Sequence, residues 1–216
     1  MSRILLIGGH GKVALLTAPL LVARGHEVNS VIRNPDQADD VRAVGAEPVV
    51  ADVESMDVEA LTDLVRDHDA IVWSAGAGGG SPERTYAVDR DAAIRTMDAA
   101  EAAGVRRYVM VSYVGSGIDD VPQDNPFHHY AVAKAEADDH LRGTGLDWTV
   151  LGPSALTSDE ATGQIEITQD AATEVSRADV AGVVAPVRGA GASGHRRPHH
   201  PFQRRGGTPI AQALTA

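Results

Sequence analysis

The sequence predicts an α/β fold: a doubly wound parallel sheet with helices on both faces. Three observations carry the prediction. Short runs rich in Val, Ile and Leu recur along the chain and alternate with longer helix-like segments. The runs are apolar at consecutive rather than alternate positions, the pattern of strands covered on both faces. Several helical segments stop at a glycine, where a left-handed cap is favoured.

The elements follow in order. RILLIG (3–8) is the first strand and leaves through GGHG (8–11) directly into a helical pattern over Val13–Arg24, closed by Gly25. EVNSVIR (27–33) and EPVVAD (47–52) flank a helix over Ala38–Val44 closed by Gly45, and Val58–Arg66 is the next helix. DAIVWSAG (69–76) precedes a long helix over Arg84–Ala103 closed by Gly104. RRYVMVS (106–112), a helix over His128–Arg142 closed by Gly143, and LDWTVLG (146–152) complete the alternation. Pro19 falls inside the first helix, where it has no N–H for the Leu15 carbonyl, and a kink is expected there.

Composition narrows the function. A chain of 216 residues is long enough for one well-filled core. Its formal charge of −11 opposes general nucleic-acid binding and attraction to anionic membranes, both of which need a basic surface. There is no cysteine, which removes disulfides and thiolate chemistry. No signal-like or membrane-length apolar run is present, so a cytoplasmic protein is expected, a monomer or homodimer without nucleic-acid or membrane partners and with a small-molecule substrate.

The first strand-to-helix turn carries the chemistry. Gly8 and Gly11 with small Ala14 make G-x-x-G-x-x-A, a turn in which backbone N–H groups at a helix start can meet a pyrophosphate. The whole stretch Gly8, Gly9, His10, Gly11, Lys12 and Val13 is therefore a cofactor-binding candidate. Where an acidic residue would accept the ribose 2′-hydroxyl of NAD, at the end of the second strand, stands Arg33. A guanidinium suits a 2′-phosphate and offers no acceptor to a hydroxyl, so NADP is expected, with NAD less favoured. Asp52 and Val53 would lie at the adenine, and Ser74, Ala75 and Gly76 beside the pyrophosphate or nicotinamide ribose.

At this point the residues resemble a family. GGHGKVA, VIRNP, AD at the third strand end, VDRDAAIRTMDAAEAAGVRRYVMVS and HYAVAKAEADDHLRGTGLDWTVLGPSAL together resemble the atypical short-chain dehydrogenase/reductases. Within them the likeness is to the NAD(P)H-binding group with NmrA-like and flavin or biliverdin reductase-like members, some named only as sugar epimerases. It spans Arg3 to Ala185. The resemblance implies a Rossmann-type domain over 1–185 with a small substrate-covering lobe over 152–185. It also implies Ser112 as catalytic serine and Tyr130 with Lys134 as a Y-x-x-x-K pair, Lys134 reaching the nicotinamide ribose as well. Spacing of i and i+4 puts Tyr130 and Lys134 on one helical face, where an ammonium would lower the phenol's pKa. His128 and His129 are candidates to line the same pocket. Two positions depart from the family pattern: Gly152-Pro153-Ser154 replaces Arg-Pro-Gly, and Tyr113 follows Ser112 where a second serine is frequent.

Residues 186–216 form an atypical tail. The stretch PVRGAGASGHRRPHHPFQRR (186–205) has five Arg, three His and no acid, while all 30 acidic residues precede it. With 17 Arg against two Lys in the chain, this composition reads as a compensated frameshift in a GC-rich gene or as a disordered surface segment. His195, His199 and His200 lack a carboxylate or thiolate partner nearby, so no metal site is expected.

Two functions follow from these residues. One is an NADP-dependent oxidoreductase acting on a small carbonyl, quinone or flavin-like acceptor; the other is a non-catalytic dinucleotide sensor of the NmrA-like kind. Two Phe, two Trp and four Tyr offer few stacking surfaces for a large flat substrate.

Overall fold

The structure is a computed structural model that describes residues 1–79, 81–114, 121–167, 174–186 and 197–213. The chain runs β1 (Arg3–Ile7), α1 (Lys12–Val22), β2 (Glu27–Ile32), α2 (Ala38–Ala43), β3 (Glu47–Val50), α3 (Val58–Val65) and β4 (Ala70–Trp73). A short α4 (Pro82–Thr85) passes through a π-helical stretch, Tyr86–Ala92, into α5 (Ala93–Ala103). Then follow β5 (Arg107–Val111), α6 (His128–Gly143), β6 (Asp147–Pro153), β7 (Ala155–Thr157), β8 (Gln164–Ile167), β9 (Glu174–Ser176), α7 (Arg177–Val184), β10 (Arg197–Pro209) and α8 (Ile210–Ala213).

The main sheet has the order β3-β2-β1-β4-β5-β6-β10-β8. Its first six strands are parallel, the Rossmann-type doubly wound order, and the order reverses between β1 and β4. A ligand crevice in such a sheet opens outside the carboxyl ends of the strands at that reversal. The basic segment enters the sheet through its second half: β10 pairs parallel with β6 and antiparallel with β8, with a register shift on each side. Residues 187–196, including His195, lie outside the described residues. A separate two-stranded parallel sheet, β7 with β9, sits beyond β6.

Both faces of the sheet are buried, which explains the continuous apolar runs. Ile4 and Leu6 pack with Val13, Ala14 and Leu21 of α1 and Val180 and Val184 of α7. Leu5 and Ile7 face the other way, onto Leu61 of α3, Met97 of α5 and Leu141 of α6. Each such side chain, fully removed from water, contributes about 1.5–3 kcal/mol.

Helix ends differ from expectation at one place. Gly25, Gly45 and Gly104 take the left-handed conformation expected of caps, but Gly143 does not. It is the last residue of α6, and Thr144 closes that end by donating its hydroxyl to the Leu141 carbonyl at 2.7 Å. α1 runs through exposed Pro19, and its last turn is bonded from the Ala23 N–H to the Pro19 carbonyl.

Candidate functional site

The turn after β1 is closely fitted to its surroundings. Gly8 has φ +82°, and a Cβ there would lie 2.6 Å from Ala75 Cα and 2.7 Å from Ala75 N. A Cβ on Gly9 would lie 2.6 Å from the Ser30 Cβ. The Gly9 N–H donates to the Val31 carbonyl and the Gly11 N–H to the Gly8 carbonyl, both at 2.8 Å, so the turn is held from inside and outside. α1 begins at Lys12 after Gly11, with no side-chain cap and no acidic residue in its first turn. Its first N–H groups and the positive end of its dipole therefore remain available to an anion. Val13 and Ala14 bury their side chains in the core and can offer only backbone there. His10 turns aside to Asp40, with Nε2 to Oδ2 at 2.8 Å.

Neighbouring strand ends extend the crevice. Arg33, just past β2, points a largely exposed guanidinium at Glu54, with Nη1 to Oε2 at 3.3 Å. Asp52 folds the segment after β3 by accepting the Glu54 N–H on Oδ1 at 3.2 Å. Arg95 of α5 reaches across and donates to the carbonyls of Met56 and Glu54 at 3.0 Å and of Val53 at 3.5 Å. Past β4, the Ser74 N–H donates to the Ile7 carbonyl at 3.0 Å and Ala75 lies beneath Gly8. Gly76 leaves room for Asp89, whose Oδ1 would be 3.0 Å from a Cβ on that glycine. Gly8–Gly11, Arg33, Asp52–Val53 and Ser74–Gly76 thus range along the carboxyl ends of β1 to β4. The glycine cradle and the uncapped helix start fit a dinucleotide.

Of the remaining predicted residues, Tyr130 and His129 line a cleft of about 330 Å³, and Ser112, His128 and Lys134 are not part of its lining. Asp89, Phe127, His129, Tyr130, Ala77 and Thr85 are among its lining. Tyr130 stacks obliquely against Phe127 and Tyr113, with ring centroids 5.0 and 5.6 Å away. Ser112, just past β5, is buried and donates its hydroxyl to Asp138 Oδ2 at 2.6 Å. Lys134 is 1% exposed, and its ammonium donates to the Val111 carbonyl at 3.0 Å and the Met110 sulfur at 3.4 Å. His129 contacts the Tyr86 hydroxyl at 3.3 Å, whereas the ring of His128 turns to the Val121 carbonyl at 2.7 Å.

Electrostatics reverse one sequence expectation. The Tyr130 phenol is held above its ordinary value, first by burial and then by the nearby Asp89 and Asp138 carboxylates and Tyr113. Lys134 does not lower it; its charge acts on Asp89. Burial raises the Asp89 carboxyl, and Lys134, the Ala77 N–H donated to Oδ2 at 3.0 Å, and Arg84 offset part of that rise.

Sequence reasoning missed Asp89, Asp138, Arg95 and Glu54. They are isolated acids and a lone arginine on polar helices and a loop, so no local pattern marks them, and only tertiary pairing brings each to the site. Among the described residues no cluster of three or more His, Asp or Glu is placed to hold a metal ion. None of their helices is long and apolar enough to cross a membrane.

Comparison with known proteins adds to this geometry. The profile of the family described as NAD(P)H-binding matches residues 8–187. The sugar epimerase YhfK of Bacillus subtilis, itself uncharacterised, is 31% identical over 98% of both chains. A Bacillus halodurans protein provisionally named an NAD-dependent epimerase/dehydratase superposes with a TM-score of 0.87 at 33% identity, over 100% of this chain and 99% of that one. ChuY, an anaerobilin reductase of Escherichia coli O157:H7, superposes with a TM-score of 0.78 at 25% identity, over 96% of this chain and 100% of its own.

Proposed function

The chain belongs to the NAD(P)H-binding family, and from that premise we propose that it is an NADP-dependent oxidoreductase reducing a small carbonyl, quinone or flavin-like acceptor. The observation that carries this reading is the cleft where the Tyr130 phenol, kept protonated, meets Asp89 beside the strand ends. The cofactor supplies a hydride when bound. Backbone N–H groups of His10, Lys12 and Val13 at the uncapped helix start would hold its pyrophosphate, Gly8, Gly9 and Gly11 would permit its close approach, and Arg33 would take the 2′-phosphate. Asp52 and Val53 would flank the adenine, and Ser74, Ala75 and Gly76 would line the inner part of the groove.

Tyr130 delivers a proton to the acceptor oxygen as charge develops on it; burial and the nearby carboxylates keep the phenol protonated but make it a weaker acid than a free tyrosine. Ser112, oriented by Asp138, fixes the oxygen's position by hydrogen bonding. Lys134 acts from behind: it holds the end of β5 through Val111 and favours the charged form of Asp89, and with cofactor bound its ammonium would serve the nicotinamide ribose.

One observation favours a second reading, a dinucleotide sensor without turnover. The Ser112 hydroxyl and the Lys134 ammonium are both engaged with the protein's own groups. Two measurements separate the readings. Thermal shift with NADP, NAD, FAD and FMN should give the largest rise with NADP, since a ligand of the folded state alone stabilises it. NADPH oxidation across a panel of aldehydes, quinones, flavins and nucleotide sugars should then show turnover; tight NADP binding with none across the panel would favour the sensor.

A further inference from the structure

We propose that Glu54 is a specificity-determining residue: its carboxylate, clamped between Arg33 and Arg84, stands where a cofactor's anion would be read and restrains the preference for a 2′-phosphate. The inference rests on the NADP reading of Arg33 and adds to it two residues that reading does not use.

Two guanidiniums converge on one oxygen. Glu54 Oε2 lies 3.3 Å from Arg33 Nη1 and 3.5 Å from Arg84 Nε. Arg33 comes from the end of β2, Glu54 from the segment after β3, and Arg84 from α4 after β4, so the cluster spans three strand ends. Two of the three, Arg84 and Glu54, are anchored by further contacts. Arg84 also donates from Nη1 to the Ala77 carbonyl at 3.0 Å. The Glu54 backbone is held on both sides, by Asp52 at its N–H and by Arg95 at its carbonyl. A carboxylate standing between two arginines occupies the place of an incoming anion.

The chemistry separates the two cofactors. A 2′-phosphate brings up to two negative charges and three acceptor oxygens, and both guanidiniums could serve it. To do so they must let go of Glu54 or share it, and the carboxylate repels the incoming phosphate. A 2′-hydroxyl is a donor, which the same carboxylate accepts. Glu54 therefore weakens NADP and tolerates NAD, while Arg84 is a second cation for the phosphate.

The test is fluorescence titration of the full chain with NADPH and NADH, with 2′-AMP and 5′-AMP as probes that cannot react. Glu54→Gln should tighten NADPH and 2′-AMP by about three- to tenfold, as expected for two freed, partly exposed ion pairs, and should not tighten NADH or 5′-AMP. The gain should shrink as salt rises. Arg84→Ala should weaken NADPH by about threefold or more and leave NADH alone. Glu54→Asp, which keeps the charge, should stay close to the parent. If Glu54→Gln leaves NADPH within about twofold while Arg33→Ala still removes the NADPH preference, this inference is overturned and the cofactor reading stands. Equal parent affinities with a shift toward NADPH in Glu54→Gln would overturn the parent's preference and support Glu54 as the restraint.

Discussion

The Lys134 ammonium lies 3.0 Å from the carbonyl oxygen of Val111, the last residue of β5, and is closed off from water. A buried cation needs compensating charge, and Asp89 supplies it across the cleft wall. Lys134→Met keeps the stem but leaves the Val111 carbonyl without its donor and takes from Asp89 the stronger of its two cations, Arg84 being the other. Urea unfolding should show a loss of about 2–3 kcal/mol, and NADP binding should weaken with it.

Tyr130→Phe separates proton transfer from binding. The ring stays against Phe127 and Tyr113, so NADP affinity should remain within about threefold while turnover falls by about 10² or more. The phenol sits above its ordinary 10.0. Its acid form therefore persists through neutral and mildly alkaline pH, and kcat for reduction should show no alkaline limb from this group below pH 10.0.

Asp89 makes stability depend on pH in a definite direction. Burial raises its folded pKa above the unfolded 3.8. The folded state therefore binds this proton more tightly, and the resulting stability is complete below pH 3.8 and lost as pH rises through the folded pKa. Asp89→Asn cannot ionise and keeps an acceptor for the Ala77 N–H. Relative to the parent it should gain stability as pH climbs from 3.8, read as a rising difference in Tm, while losing activity if Asp89 serves the cleft.

Gly8→Ala tests the cradle. The new Cβ would meet backbone atoms of Ala75 at 2.6 and 2.7 Å with φ at +82°. A cost of about 2–4 kcal/mol is expected from strain and displacement, with NADP affinity falling at least about tenfold as the turn shifts. Urea unfolding and NADPH titration of the same sample would check both.

Much of this was legible because periodicity and punctuation are local. Five of the six runs from Ile4 to Leu151 announce strands buried on both faces, the edge strand β3 being only partly covered, and Gly8 announces a turn with no room for a side chain. Arg33 was visible for the same reason, being placed by its distance along one strand-turn unit. The partners of the site were not. The π-helical winding over Tyr86–Ala92 changes which helical positions face the cleft, so a regular wheel does not place Asp89 there. The i, i+4 spacing correctly put Tyr130 and Lys134 on one helix, but it could not show that β5 offers Lys134 a carbonyl, or that two acids crowd the phenol. Composition likewise concealed the pairing of Arg197–Pro209, because a strand of Arg, His, Pro and Gly owes its place to its neighbours β6 and β8.

That late strand has a consequence for the order in which the protein can be made. β8 ends at Ile167, and its partner begins only at Arg197, so a nascent chain emerges with β6 as an open sheet edge until the segment from Arg197 to Pro209 has left the ribosome. Phe202, fully buried beside Ile165 and Val175, closes that gap in the core. A chain stopped before residue 197 would carry the whole dinucleotide turn yet expose a hydrophobic edge, the surface that chaperones and proteases recognise.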